Sequence, residues 1–244
     1  MNLNDLTILI TGGSSGIGLA FAEALLERDN RVIICGRDSE KLARAHSRNR
    51  QLDTVRCDIT DAAEVRELFR HLASRYGQIN ILINNAGIQR QYKLLEQPDL
   101  WHTIAEEFSI NLVAQVQLTH HLLPLLSRER GAIVNITSAL AVVPKQSAPV
   151  YCAAKAGLHS FTRTLRYQLR GTPIEVFEVL PALVDTAMTR DRPEKGKISP
   201  QRLVDDALRG ITKGRHTIPI ERTRLLLLIH RLWPRLAYAI LRDS

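Results

Sequence analysis

Tyr151 and Lys155 stand four apart in a segment whose apolar residues, Ala154, Leu158, Phe161, Leu165 and Leu169, recur at helical spacing. Spacing of four puts a phenol and an ammonium on one helix face, within reach of each other. A free tyrosine has a pKa near ~10 and is a poor acid–base catalyst at neutral pH. A fixed ammonium beside it favours the phenolate and moves the proton affinity into a useful range. Ser138 lies thirteen residues upstream, at the end of the run 131–138 (GAIVNITS). The β-branched Ile133, Val134 and Ile136 mark that run as a buried strand. A hydroxyl at its end is placed to hydrogen-bond the oxygen that a tyrosine protonates. Tyr and Lys four apart also occur on ordinary amphipathic helices with a solvated face, so the remainder of the chain has to decide.

A second constellation sits near the N-terminus. The turn Thr11-Gly12-Gly13-Ser14-Ser15-Gly16-Ile17-Gly18 follows an apolar run and opens a helical one. Glycines there let the backbone turn tightly and approach a diphosphate seated on the free N–H groups of the helix start. A strand before it and a helix after it are the context that gives such a glycine pattern meaning. The next strand ends at Cys35-Gly36-Arg37. Folds of this kind that bind NAD place an acid about ~20 residues past the glycine loop, on the ribose 2′-hydroxyl. Gly36 occupies that place and Arg37 follows it. A guanidinium there grips a 2′-phosphate that a carboxylate would repel, which favours NADP(H) over NAD(H). The other reading of Arg37 is a solvated strand-end arginine.

The elements that must position these groups alternate. Strands are expected at 7–11, 31–35, 54–57, 79–84, 131–138 and 174–180. Helices are expected at 17–28, 39–48, 62–76, 98–128 (ended or kinked at Pro124) and 149–170. Asp61, with Glu64 three residues on, caps the third helix. Such alternation implies an α/β chain with a parallel sheet covered on both faces. No linker or repeat interrupts it, and 244 residues suffice for one large core. With 45% hydrophobic and 24% charged residues, the composition is that of an ordinary soluble domain. No apolar stretch approaches the ~18 residues of a membrane span, and the N-terminus lacks the basic region of a signal peptide. Cys35, Cys57 and Cys152 are odd in number and lie at no metal-ligand spacing. They read as buried thiols of a cytoplasmic protein without a metal.

With all four motifs in view, the chain resembles the short-chain dehydrogenase/reductase family, single-domain branch, over about residues 5–220. The family pattern T-G-x-x-x-G-x-G matches 11–18, and N-N-A-G matches Asn84 to Gly87. A helix asparagine matches Asn111, and Ser-(12)-Y-x-x-x-K matches Ser138, Tyr151 and Lys155. The runs CGRxxxKL, NNAGIQR, PVYCAAKAGLHSFTxxLR and PALVDT look most like the DltE-like subgroup. This resemblance implies a Rossmann-type doubly wound parallel sheet of about seven strands with helices on both faces. Residues 1–220 would form the NADP-binding catalytic domain, with 221–244 as its helical extension. Tyr151 would be the general acid in carbonyl reduction and the general base in alcohol oxidation. Lys155 would bind the nicotinamide ribose, Ser138 would position the reacting oxygen, and Asn111 would break its helix and hold a water leading to Lys155. Cofactor contacts would come from Gly12, Ser14, Ser15, Gly16, Ile17, Gly18, Arg37, Asp58, Ile59, Asn85, Ala86 and Gly87. Tyr151, Lys155, Pro181, Val184 and Thr186 would complete them. Asp58 would meet the adenine amine, or else serve as a turn aspartate. Where the family shows Pro-Gly after the sixth strand, this chain has Pro181-Ala182. Family members pair through helices corresponding to 103–127 and 149–170. A homodimer or homotetramer is therefore expected, supported by the apolar residues of the second helix.

The substrate side is less specified. Ala139, Leu140, Val142, Val143 and Pro144 follow the serine and suit an apolar carbonyl or alcohol. Gln89 and Arg90 follow N-N-A-G, and Arg90 admits an anionic group. Segment 187–199 is polar and reads as a mobile lid or a plain surface loop. Charge is uneven: residues 1–186 hold 20 Lys and Arg against 19 Asp and Glu, residues 187–244 hold 13 against 6. The tail 221–244 is apolar and basic. As one helix it would align Arg224, Arg231, Arg235 and Arg242 on a face, although Pro234 kinks it or starts a second helix. Three places for it stay open: over the substrate pocket, at a subunit contact, or on an anionic membrane surface. Without aromatic interleaving or a nucleic-acid motif, nucleic acid is not expected. Two function classes compete, an NADP(H)-dependent oxidoreductase and an NADP(H)-binding sensor or interaction protein on the same scaffold. The intact Asn-Ser-Tyr-Lys set favours the enzyme.

Overall fold

The computed structural model describes residues 1–191 and 196–243. Seven parallel strands form one sheet: β1 (Thr7–Thr11), β2 (Arg31–Gly36), β3 (Asp53–Arg56), β4 (Ile81–Asn84), β5 (Gly131–Ile136), β6 (Ile174–Leu180) and β7 (Thr217–Pro219). Their order is β3-β2-β1-β4-β5-β6-β7, every neighbouring pair parallel. The order reverses between β1 and β4, which leaves a crevice at the carboxyl ends of those strands. Burial along each strand explains its place. All residues of β4 and β5 are buried, as strands covered on both faces must be, whereas β3 alternates half-buried and exposed at the edge.

Alternate side chains feed two cores. Ile8 and Ile10 of β1 and Val32 and Ile34 of β2 face one layer, with α1 (Gly16–Leu26) and α2 (Ser39–Arg48) packed on it. Leu9 and Ile33 face the other, under α3 (Ala62–Tyr76) and the long helices that follow. Asp61 caps α3 as expected, its carboxylate accepting from the N–H groups of Ala63 and Glu64.

The expected helix 98–128 is a composite. It runs as α4 (Trp101–Phe108), a π-helical turn at Ser109–Val113, and α5 (Ala114–Leu122), then ends in a 3₁₀ turn containing Pro124. Next come α6 (Pro149–Gln168) and α7 (Pro200–Thr212). Leu165 of α6 is buried in the second core, with Phe161 and Leu169 packed partly against it, and Leu158 is also buried. The apolar residues of α6 thus pack within the protein, wholly for Leu158 and Leu165 and in part for Phe161 and Leu169. β3 lies one residue earlier than the expected 54–57, β4 begins two residues after the expected 79 and β5 ends two before the expected 138, so Cys57, Thr137 and Ser138 fall in the turns after their strands, where they line the site. Thr217–Pro219 is three residues long and ends in proline, so it carries no strand signal of its own.

Pro234 does divide the tail. Helix α8 (Arg222–Leu232) and helix α9 (Pro234–Arg242) meet at Trp233, whose backbone leaves the helical region before the proline (φ −138°, ψ 73°). The single four-arginine stripe of an unbroken helix is therefore not formed. Leu226 and Ala237 instead make a third, small core with Ala139 and Val143.

Candidate active site

The glycine turn and the N-N-A-G run interlock at the reversal point of the sheet. Thr11 Oγ1 accepts from the N–H groups of Asn85 and Ala86, both at 3.0 Å. The Asn85 side chain answers with bonds to the carbonyls of Thr11 and Gly12, at 2.9 and 3.1 Å. Gly12 and Gly16 adopt φ of +62° and +54°, a conformation that costs a glycine nothing. Gly18 serves a different purpose. A Cβ there would lie 2.4 Å from the Gly12 carbonyl oxygen and 2.5 Å from Asn85 Nδ2. Gly18 therefore sits behind the turn and lets α1 pack against it, and it does not line the cavity in front.

That cavity measures about 1300 Å³ and runs from Arg37 to the tail helices. Gly12, Ser14, Ser15, Gly16 and Ile17 line its floor, where Ser15 caps α1 without a side-chain bond to the helix N–H groups. Arg37, Asp58 and Ile59 line one end, and Asn85, Ala86, Gly87, Pro181, Val184 and Thr186 the middle. A backbone cradle at a helix start, with positive-φ glycines and no first-turn carboxylate, fits the diphosphate of a dinucleotide.

The Arg37 guanidinium lies 3.6 Å from the Glu106 carboxylate of α4, which also binds Arg90. The Arg90 bond, followed by the charge of Arg37, holds the Glu106 carboxyl below its ordinary pKa. Asp58 takes both the N–H and the hydroxyl of Thr60. Burial alone would raise its pKa, but these bonds and the nearby Arg37 and Arg56 lower it overall. Asp58 is thus a turn-forming aspartate that also faces the cavity. Lys41, four residues after Arg37 on α2, lines the same end. Its position on the first turn of a helix next to Arg37 was a readable signal that sequence reasoning passed over.

Ser138, Tyr151 and Lys155 all line the same cavity. Ser138 caps a short 3₁₀ turn, its Oγ accepting from Leu140 N at 3.1 Å. One turn of α6 separates the Tyr151 ring from Lys155, whose Nζ lies 5.9 Å from the ring centroid. Lys155 is buried and donates to the Ile136 carbonyl at the end of β5, at 2.8 Å. Burial without a charged partner depresses its pKa to about 8. Asn111 does not line the cavity. It sits buried in the π-helical turn, exchanging two hydrogen bonds with the Ile88 backbone. Its Oδ1 nevertheless lies 2.9 Å, and Lys155 Nζ 3.8 Å, from the point where a Gly87 side chain would begin. Any residue but glycine at 87 would push between them.

This arrangement of interlocked glycine turn, Ser, Tyr and Lys has counterparts. The family model for short chain dehydrogenase matches residues 6–197. The chain belongs to the short-chain dehydrogenase/reductase family. It is 40% identical over 228 residues to the uncharacterized oxidoreductase DltE of Bacillus subtilis (strain 168), covering 91% of this chain and 90% of that protein. A short chain dehydrogenase from Burkholderia cenocepacia J2315, solved in complex with NADP, superposes over 100% of both chains (TM-score 0.88, 30% identity). A Burkholderia phymatum member solved with NAD shares the fold (TM-score 0.85, 24% identity, 95% of this chain and 96% of that one).

On the substrate side, Gln89, Ala139 and Leu140 line the cavity as expected, but Arg90 is tied to Glu106 and does not. Val143 turns away to pack under the tail. In its place come residues from distant sequence: Leu225, Leu226, Ile229, Ile240 and Leu241 from α8 and α9, and the buried Lys145. Of the three places considered for the tail, its inner face takes the one over the pocket. Lys145 carries no signal in a single sequence. The segment 187–199 begins with a 3₁₀ turn at Ala187–Thr189 and ends where Ile198 bridges back to Val184. Residues 192–195, the middle of the expected lid, lie outside the described residues.

Proposed function

We propose that this chain is an NADP(H)-dependent oxidoreductase that moves a hydride between nicotinamide and a carbonyl or secondary alcohol, with Tyr151 as general acid/base. One observation carries the reading: Ser138, Tyr151 and Lys155 share one wall of a cavity whose other end is a dinucleotide cradle closed by Arg37. The bound cofactor supplies the hydride that the carbonyl carbon receives. Tyr151 hydroxyl gives its proton to the carbonyl oxygen, and Ser138 Oγ orients that oxygen by donating a hydrogen bond to it. Lys155, anchored on the Ile136 carbonyl, places a positive charge beside the phenol and favours the phenolate left behind. Asn111 holds Ile88 and so the loop that carries Gly87, keeping open the gap between its own amide and the lysine.

Preference for NADP(H) rests on Gly36, Arg37 and Lys41 at the ribose end, where, among the described residues, the cavity-lining acids are the N-cap Asp38 and the turn-bound Asp58. The apolar wall of Leu140, Leu226, Ile229 and Leu241 favours a largely apolar substrate. Three unpaired, buried cysteines suit a reducing compartment such as the cytoplasm. For a homo-oligomer, the support is the exposed Trp101 and Tyr167 on the outer side of α4 and α6, and solution mass decides it. NADPH oxidation across a panel of aliphatic and aromatic carbonyl compounds tests the enzyme reading. Tight NADPH binding with no turnover on any of them would favour the sensor.

A further inference from the structure

The inner face of α8 and α9 closes the pocket, but the outer face is left apolar. Leu225, Leu228 and Leu232 are each more than half exposed, and their spacing of three and four puts them on one side of α8. Trp233, at the break, and Leu236, on the first turn of α9, are equally bare. Arginines run beside these residues. Arg224 and Arg231 are seven apart on α8, Arg235 and Arg242 seven apart on α9, so each pair flanks the apolar line of its own helix. Arg224 is committed to the Pro219 carbonyl and Asp206, and Arg242 to Asp243. Arg231 and Arg235 make no ion pair among the described residues.

We propose that this outer face docks on the surface of an anionic lipid bilayer. Charge complementarity selects that occupant. Residues 222–242 contain five arginines and no Asp or Glu. A second copy meeting this face through the same face would set Arg231 and Arg235 against their own counterparts, while Asp206 and Asp243 beside the face are already paired with Arg224 and Arg242. An acidic lipid surface answers Arg231 and Arg235 while its acyl region receives the leucines and Trp233. Leu225 and Ile240 also line the cavity, so the mouth of the pocket opens on the docked side. The docking goes beyond the oxidoreductase reading and does not depend on it, because its readouts need no turnover.

The full chain is sedimented with phosphatidylglycerol/phosphatidylcholine vesicles and with phosphatidylcholine vesicles. In a Trp101→Phe background, Trp233 is the only tryptophan and reports its own surroundings. The expected result is pelleting with the anionic vesicles alone, a blue shift of Trp233 emission, and release by about 0.5 M salt. Arg231→Glu with Arg235→Glu, exposed positions outside the cavity, should lower the bound fraction by at least about tenfold while NADPH binding persists. The wild-type lipid and salt comparison stands even if that double variant fails to fold. Protein that stays in the supernatant with anionic vesicles at low salt overturns the proposal, as does equal binding to both vesicle types. A Trp233 shift that follows rising protein concentration and mass without lipid also overturns it, and assigns the face to a second copy.

Discussion

Asn111 and Ile88 hold each other by two hydrogen bonds: Asn111 Nδ2 donates to the Ile88 carbonyl at 2.8 Å, and its Oδ1 accepts from the Ile88 N–H at 3.0 Å. The side-chain amide is thereby occupied as a clamp between the long helix and the loop after β4. The π-helical turn around it is the local departure that lets it point there. Asn111→Ala should leave both Ile88 groups unpaired, lowering stability by roughly 2–3 kcal/mol. Thermal unfolding checks this. An unchanged Tm would mean that water replaces the clamp.

Tyr151→Phe keeps the ring that faces Lys155 and removes only the hydroxyl. Turnover on any carbonyl substrate identified should drop by about 10²-fold or more, with NADPH affinity within a few-fold of the parent. Turnover within a factor of about three of the parent would take the phenol out of the proton transfer.

At the ribose end there is room to change the cofactor. A Cβ on Gly36 would meet only Ser14 Oγ, at 3.8 Å. Gly36→Asp with Arg37→Ser should shift the ratio of kcat/KM toward NADH by at least about tenfold. Glu106→Gln, in the opposite sense, frees Arg37 from its carboxylate partner and should tighten NADPH more than NADH. A direct titration in which wild-type protein binds both cofactors equally would show that Arg37 does not discriminate.

Lys155 should leave a signature in the pH dependence of the cofactor-free protein. Its folded pKa is about 8, against an ordinary 10.5. Below pH 8 the ammonium is present in folded and unfolded chains alike, and its burial cost is carried in full. Between about 8 and 10.5 the folded chain has released a proton that the unfolded chain still binds, so stability rises with pH. The gain, on the order of 3 kcal/mol, should vanish in Lys155→Met. Urea unfolding of both proteins at pH 7.5 and 10 gives the difference directly, and parallel pH dependences would remove the depressed pKa.

Leu226 belongs to both the tail and the pocket. Leu226→Ala should cost about 2 kcal/mol or more in stability and raise KM for an apolar substrate while leaving NADPH binding unchanged. Loss of NADPH affinity instead would place the tail over the cofactor end.

What the residues determined by themselves was the scaffold and its chemistry-bearing points. Strand Thr7–Thr11 and helices Ser39–Arg48 and Ala62–Tyr76 end where periodicity and capping put them, because those signals are local. The glycine turn, Ser138, Tyr151 and Lys155 were legible for a similar reason: a turn needs glycine where φ is positive, and a helix face needs spacing of four. Tertiary structure decided the rest. Only packing shows that Gly18 supports the turn from behind, that Asn111 clamps Ile88, and that Arg90 is drawn to Glu106 and away from the pocket. The tail is the largest case. Its composition specified an apolar, basic helix, and Pro234 specified the break. Yet the choice of which face covers Ala139 and Val143, and which faces outward, depends on contacts nearly a hundred residues apart along the chain. Local periodicity carries no information about partners at that distance, since any apolar surface of the right shape would satisfy it.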